Sequence, residues 1–309
     1  MEVEVFHLGV QVYRWSTPDQ ILLLRDGLGP AAGEARSRGL CQRFWYTPFD
    51  ARGPHVFALF TSAREVGAGD ARERRAALES HLGGRLSGWL SAHPSAIVLE
   101  RGELDRRHAA CRGKALNAID EQPGRPANDS LCSFEHPADR YPFALTADLT
   151  RSEALWRELD GMSFWAIEHL TEAGAAIRLV AAVDRTLSAV GAPTAAFWRY
   201  VAATWILPLR DRLEHDEEEV LAALPAMIGA KNSRIFEGLW DAGPTAGDPP
   251  IERGVRLVVE DPSLPIERRL RLLREIVHQA LAQLLLGVQA RLPLILYAWH
   301  RNLSVASAV

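Results

Sequence analysis

Phe44-Trp-Tyr-Thr-Pro-Phe-Asp-Ala-Arg-Gly-Pro-His-Val-Phe-Ala-Leu-Phe60 is two runs of apolar, mostly aromatic residues separated by Asp50-Ala-Arg-Gly-Pro54. Aromatic and β-branched side chains suit a pleated, packed surface, and Asp, Gly and Pro supply a turn. The stretch predicts a strand pair over 40–47 and 54–62. Alternation sets His55, Phe57 and Leu59 on one face of the second strand and Val56, Ala58 and Phe60 on the other. A histidine entering a strand is either a satisfied core residue or part of a site.

Around this pair, the alternating run Val3–Trp15 predicts a further strand, and Ser16-Thr-Pro-Asp19 opens a helix to about Leu28. A long amphipathic helix is expected over 70–92, interrupted at Gly83-Gly84. The segment 112–130 has loop composition and leads into a strand at Leu131–His136.

From about 150 the spacing turns helical. Helices are expected over Leu155–Ala173, Ala175–Val190, Pro193–Leu213, Glu217–Ile228, Pro265–Gln289 and Pro293–Ser304, with a loop at 241–252. The fold class is thus α+β, a small, mainly antiparallel N-terminal sheet packed against a predominantly helical C-terminal half. The expectation is one domain over 1–309, with a sheet-containing part at 1–145 and a helical part at 150–309.

A formal charge of −4 gives no global basic field for nucleic acid or an acidic membrane. Cys41, Cys111 and Cys132 are odd in number and lack a CxxC pair, which argues against a disulfide framework and a zinc knuckle and fits a reducing cytoplasm. No apolar run approaches the ~20 residues that span a bilayer. Dinucleotide, Walker A, HExxH and GxSxG motifs are absent, so no cofactor and no metal are expected.

Near the C-terminus Tyr297, His300 and Arg301 recur at helical spacing, with Asn302 beside them. Tyr and His exchange protons, and Arg stabilises negative charge. The alternative is a cationic helix end that favours its own dipole. His278, Gln279 and Gln283 interrupt an otherwise apolar helix, facing either solvent or a cavity. Glu214-His-Asp-Glu-Glu-Glu219 reads as a solvated helix start rather than a metal site, and Lys231-Asn-Ser-Arg234 as an anion site or a helix cap.

In order along the chain, Val10-Gln-Val-Tyr13, Phe44-Trp-Tyr46, His55-Val-Phe-Ala-Leu59, Glu135 with Asp139-Arg-Tyr141, and His300-Arg-Asn302 resemble landmarks of the C-terminal elimination domain of lantibiotic dehydratases and its stand-alone relatives in thiopeptide biosynthesis. In that family a His-x-Arg-x-Arg strand binds a glutamyl ester for elimination. Here Phe57 and Leu59 replace both arginines, which removes charge-assisted hydrogen bonds outright, and the terminal Asn-Arg pair is permuted.

A scaffold without those arginines looks like the thiopeptide pyridine synthases. That resemblance implies a formal [4+2] aza-cycloaddition between two dehydroalanines of an azole-containing ribosomal peptide, with loss of water and leader peptide. It implies Tyr297, His300, His278 and Tyr46 as proton-handling residues. His55, Arg301, Gln279, Gln283, Phe57 and Leu59 would contact substrate. Arg14, Arg25, Arg36, Arg38 and Arg43 would give the N-terminal part positive charge for an acidic leader. The implied partners are a leader-bearing precursor peptide and other enzymes of the same route. Two competing readings stay open: a stand-alone elimination domain that uses another arginine, and a non-catalytic scaffold that binds the precursor.

Overall fold

The computed structural model describes residues 6–49, 54–62, 68–96, 127–135, 154–155, 157–172, 174–205, 216–241, 247–286 and 288–306. The chain divides into two compact units, Met1–Tyr141 and Pro142–Val309.

The first unit holds a four-stranded antiparallel sheet of β1 (His7–Tyr13), β2 (Arg43–Phe49), β3 (His55–Thr61) and β4 (Leu131–Glu135), in the order β2-β3-β1-β4. The two central strands are buried along their whole length, which explains why β3 reads as a nearly continuous apolar run. The expected turn at 50–54 falls largely outside the described residues, as do 112–126.

Ser16 caps helix α1 (Thr17–Leu22): its hydroxyl accepts from the Asp19 N–H at 3.2 Å and donates to the Asp19 carboxylate at 2.6 Å. The helix does not stop near Leu28 as expected. It widens into a π-helical stretch (Leu23–Leu28) and continues as α2 (Gly29–Ser37). Pro30 falls in the first turn of α2, where a missing N–H does no harm. Gly39, at φ +68°, ends the run with paired bonds from the Gly39 and Leu40 N–H groups to the Arg36 and Ala35 carbonyls, the arrangement a left-handed glycine permits.

Helix α3 (Ala68–Ala92) is unbroken at Gly83-Gly84, against expectation. A Cβ at either glycine would meet nothing within 4 Å, so each costs helix propensity, about 1 kcal/mol, without disturbing packing. Buried Leu78, Leu82 and Leu86 set its apolar stripe. Glu79 accepts the Ser133 hydroxyl and Arg75 pairs with Glu135, which fixes α3 against the sheet face those β4 residues share.

The second unit is helical: α4 (Met162–Glu168), α5 (Ala175–Ala189), α6 (Thr194–Trp205), α7 (Glu217–Ile228), α8 (Ala230–Trp240), α9 (Glu252–Val259), α10 (Ile266–Gln283) and α11 (Val288–Ala306). Several boundaries differ from the periodicity. The helix expected over 155–173 is shorter, because Gly161 turns the chain at φ +98° just before α4. Lys231-Asn-Ser-Arg234 lies within α8 rather than forming a cap, and α9 begins where the loop expected over 241–252 ends, in a segment to which the periodicity assigns no element. Leu285, at φ +55°, ends α10 before 289, and Pro293 lies inside α11 instead of opening it. Among the described residues no helix is long and apolar enough to cross a membrane.

Candidate functional site

Strand register decides which side chains of the first unit share a surface. Tyr13 stands opposite His55, Gln11 opposite Phe57 and Gly9 opposite Leu59, while β2 sets Thr47 beside Phe57, Trp45 beside Leu59 and Arg43 beside Thr61. On the far side β4 brings Cys132 beside Gln11 and Phe134 beside Gly9. One face therefore carries His7, Gln11, Arg43, Thr47, His55 and Thr61 among aromatic rings, and all six are buried.

Such a density of buried polar groups needs partners. The His55 ring lies 4.7 Å from the Tyr13 ring, and the Tyr13 hydroxyl donates to Gln11 Oε1 at 3.0 Å. That bond fixes the orientation of the Gln11 carboxamide and leaves its Nε2 buried without a hydrogen-bond partner. Phe57 stacks toward Phe134 at 6.1 Å. Gly9 makes this possible, since a Cβ there would come within 2.7 Å of the Phe134 ring.

The opposite face is apolar across β1, β2 and β3, with Ser133 and Glu135 at its β4 edge. Tyr46 is fully buried there with Phe44, 5.9 Å away, and Phe60, which is 5.2 Å from Phe44, on the side covered by α3. Burial raises its phenol well above the usual range. The sheet thus lies between Tyr46 and His55, and the two do not face one substrate. Tyr46 is a core residue at this position.

The five arginines also separate. Arg14 is 1 % exposed: it pairs with Asp129, donates to Ser95 Oγ at 2.7 Å and to the His93 carbonyl at 2.5 Å, and lies 5.0 Å from the Trp89 ring. It ties β1 to the end of α3 and offers no charge to a leader. Arg43 is buried on the His55 face. Arg25, Arg36 and Arg38 are exposed; Arg25 holds Asp26 through two bonds of 2.8 Å, and Arg38 lies 3.0 Å from His81.

In the helical unit, Tyr297 packs edge-on against Phe236 and Trp240, each at 5.4 Å. Burial raises its phenol despite a hydrogen bond with Arg301. Arg301 lies over Trp240 and pairs with Asp241 at 2.7 Å, so these two predicted residues do share one cluster. His300 is half-buried. Asn302 is structural: it donates to Asp184 at 2.7 Å and accepts from Thr194 at 2.7 Å, while Trp198 Nε1 donates to the same Asp184 oxygen at 2.7 Å. Gln283 is buried and donates to Ser163 at 2.9 Å. Gln279 and His278 are half-buried, and Gln279 Oε1 is an enclosed acceptor without a hydrogen-bond partner.

A cavity of about 480 Å³ opens among the turn at 169–172, α5, α8 and the α10–α11 junction. His169 and Glu172 are at its rim. The His169 ring stacks on Trp165 at 4.8 Å and its Nδ1 donates to the Trp165 carbonyl at 2.9 Å, with Nε2 3.6 Å from the Glu172 carboxylate. Arg178 holds Glu172 and keeps its carboxyl below the usual range. Periodicity gave no sign of this cavity, because separate segments build it. Gln11 lies in the landmark Val10–Tyr13 but has no site role legible in the sequence, since only register reveals its neighbours.

No family profile matches the chain, and no curated protein matches it in sequence. Among solved structures it is similar to the pyridine synthase TbtD from thiomuracin biosynthesis, at 17 % identity over 99 % of both chains with a TM-score of 0.60. It is also similar to the tRNA-dependent lantibiotic dehydratase MibB from Microbispora sp. 107891, at 15 % identity and a TM-score of 0.49, spanning 98 % of this chain but 28 % of that one. A third likeness is to TsrL, at 14 % identity over 99 % of this chain and 96 % of that one, with a TM-score of 0.42. From end to end, the chain has the fold of the pyridine synthase.

Proposed function

We propose that the protein is a thiopeptide pyridine synthase acting on a leader-bearing, azole-containing ribosomal peptide. The observation that carries this reading is the fold shared with TbtD along the whole of both chains. It is supported by Phe57 and Leu59, which give the buried polar face an apolar centre where a glutamate-eliminating relative would have two cations.

In this reaction the amide of one dehydroalanine, in its iminol form, becomes a 2-azadiene. The alkene of the second adds across it, forming two ring bonds, and loss of water and of the leader peptide leaves an aromatic pyridine. No electron is gained or lost overall, so the protein's part is positioning and proton transfer. Tyr297 is the proposed donor, with His300 and His278 as further proton carriers; His55, Arg301, Gln279 and Gln283 are the proposed orienting groups.

The test is incubation with a leader-bearing peptide that contains azoles and dehydroalanines, followed by mass spectrometry. A cyclised product and a released leader are expected. A second reading, glutamate elimination, is favoured by Arg43 lying on the same face one pair beyond Leu59. Loss of glutamate from a glutamylated peptide, abolished in Arg43→Gln, would establish it instead. Leader binding without either reaction would identify a scaffold.

A further inference from the structure

The cavity of the helical unit has a construction of its own. Ala175 and Ala176 on α5 and Ala290 and Pro293 on α11 contribute small side chains to its lining. Phe236 adds an aromatic surface, and 480 Å³ falls in the range of small-molecule sites.

The α10–α11 junction that lines one side of it is held against its own preference. Leu285 takes a left-handed conformation, which a branched side chain disfavours. Buried Arg291 donates its Nε to the Leu286 carbonyl at 2.6 Å, which fixes the turn whose Leu284 and Leu286 line the space. A strained turn clamped by a buried cation is a preorganised wall.

The lining also selects by charge. His169 and Glu172 are its ionisable members, and Glu172 is neutralised by two bonds from Arg178. Asn232, also in the lining, donates an N–H to the Ile228 carbonyl at 2.9 Å. A carboxylate would lose hydration against a mainly apolar lining. A flat, uncharged ring loses little and gains the apolar walls.

We infer that this cavity is a subsite for an uncharged heteroaromatic ring, and, resting on the functional reading above, that it seats an azole of the precursor's core segment. A capped bis-thiazole amide serves as the probe, its free carboxylate as the control, with binding followed by titration calorimetry on the full chain. Wild-type protein should bind the amide and discriminate against the carboxylate by about tenfold. Ala290→Trp, at an exposed rim position, should weaken the amide by about tenfold or more with an unchanged Tm; Asn232→Leu should weaken it less.

Equal affinity in Ala290→Trp, a preference for the carboxylate, or no binding to the wild type overturns the assignment. Wild-type protein that binds the amide but leaves the dehydroalanine peptide unchanged keeps the subsite and sinks the pyridine synthase reading. Normal cyclisation by Ala290→Trp keeps that reading and overturns the azole assignment.

Discussion

The Tyr13 hydroxyl donates to Gln11 Oε1 at 3.0 Å, two residues back on the same strand face, and so fixes a buried carboxamide whose N–H groups have no hydrogen-bond partner. Tyr13→Phe removes the donor and leaves the oxygen unmet, at an expected cost of about 1–2 kcal/mol. Gln11→Leu removes the same bond from the other side, at a similar cost. The double variant leaves neither group unpaired and should lose less than the sum, which urea denaturation of all four proteins would measure. Strict additivity would show that the bond carries no coupling.

Arg14 and Asp129 should control the acid limb of stability. Burial tends to raise the Asp129 carboxyl, but hydrogen bonds from Ser95 and Arg14 outweigh it and leave the carboxyl below its usual range. A depressed carboxyl contributes stability above its unfolded pKa and loses it as pH falls through the folded one. Arg14→Leu strands the partners of a buried cation and should cost about 3 kcal/mol near neutrality. The deficit should shrink in acid. Chemical denaturation across pH checks this, and a deficit independent of pH would remove Asp129 from the explanation.

How much of this could be read from residues alone depends on how local each feature is. His55, Phe57 and Leu59 share a face because strand period is two, and that needed only the run itself. The pairing of Gln11 with Phe57 needed register, and burial of both faces of β1 and β3 erased the contrast that marks an exposed side. Tyr46 looked like a partner for His55 until alternation and register set it on the α3 side. Arg14 looked like surface charge because an arginine's partners, here Asp129 and Ser95, are far away in sequence. Pro293 suggested a helix start, yet it falls one turn inside α11. The cavity had no sequence signal, since Ala175, Phe236 and Pro293 meet only in the folded unit.

Asp184 gives the opposite pH response from Asp129. Burial raises its carboxyl, partly countered by hydrogen bonds from Trp198 and Asn302. The folded state therefore holds this proton more tightly than the unfolded state, so stability falls as pH rises through the folded pKa. Asp184→Asn keeps an oxygen for both donors and has no charge to bury. It should be the more stable protein near neutral pH, with the advantage vanishing in acid. Asp184→Leu leaves both donors unmet and should cost about 2–3 kcal/mol. Thermal melts across pH separate these cases; a constant gap between Asn and wild type would overturn the argument.

Tyr297 is expected to act as a donor that never ionises in the working range. Its ring is wedged against Phe236 and Trp240, and burial raises the phenol above its ordinary value of 10.0 while Arg301 hydrogen-bonds to it. Tyr297→Phe keeps both edge-on contacts, so the fold and precursor binding should persist. Cyclisation should fall by about 10²-fold, the scale of a lost general acid. A phenol raised in this way gives no inflection in the rate below about pH 10, so the neutral-range profile of the remaining activity should keep its wild-type shape. An inflection near neutrality that disappears with the hydroxyl would show Tyr297 acting as an ionised base and would overturn the donor role.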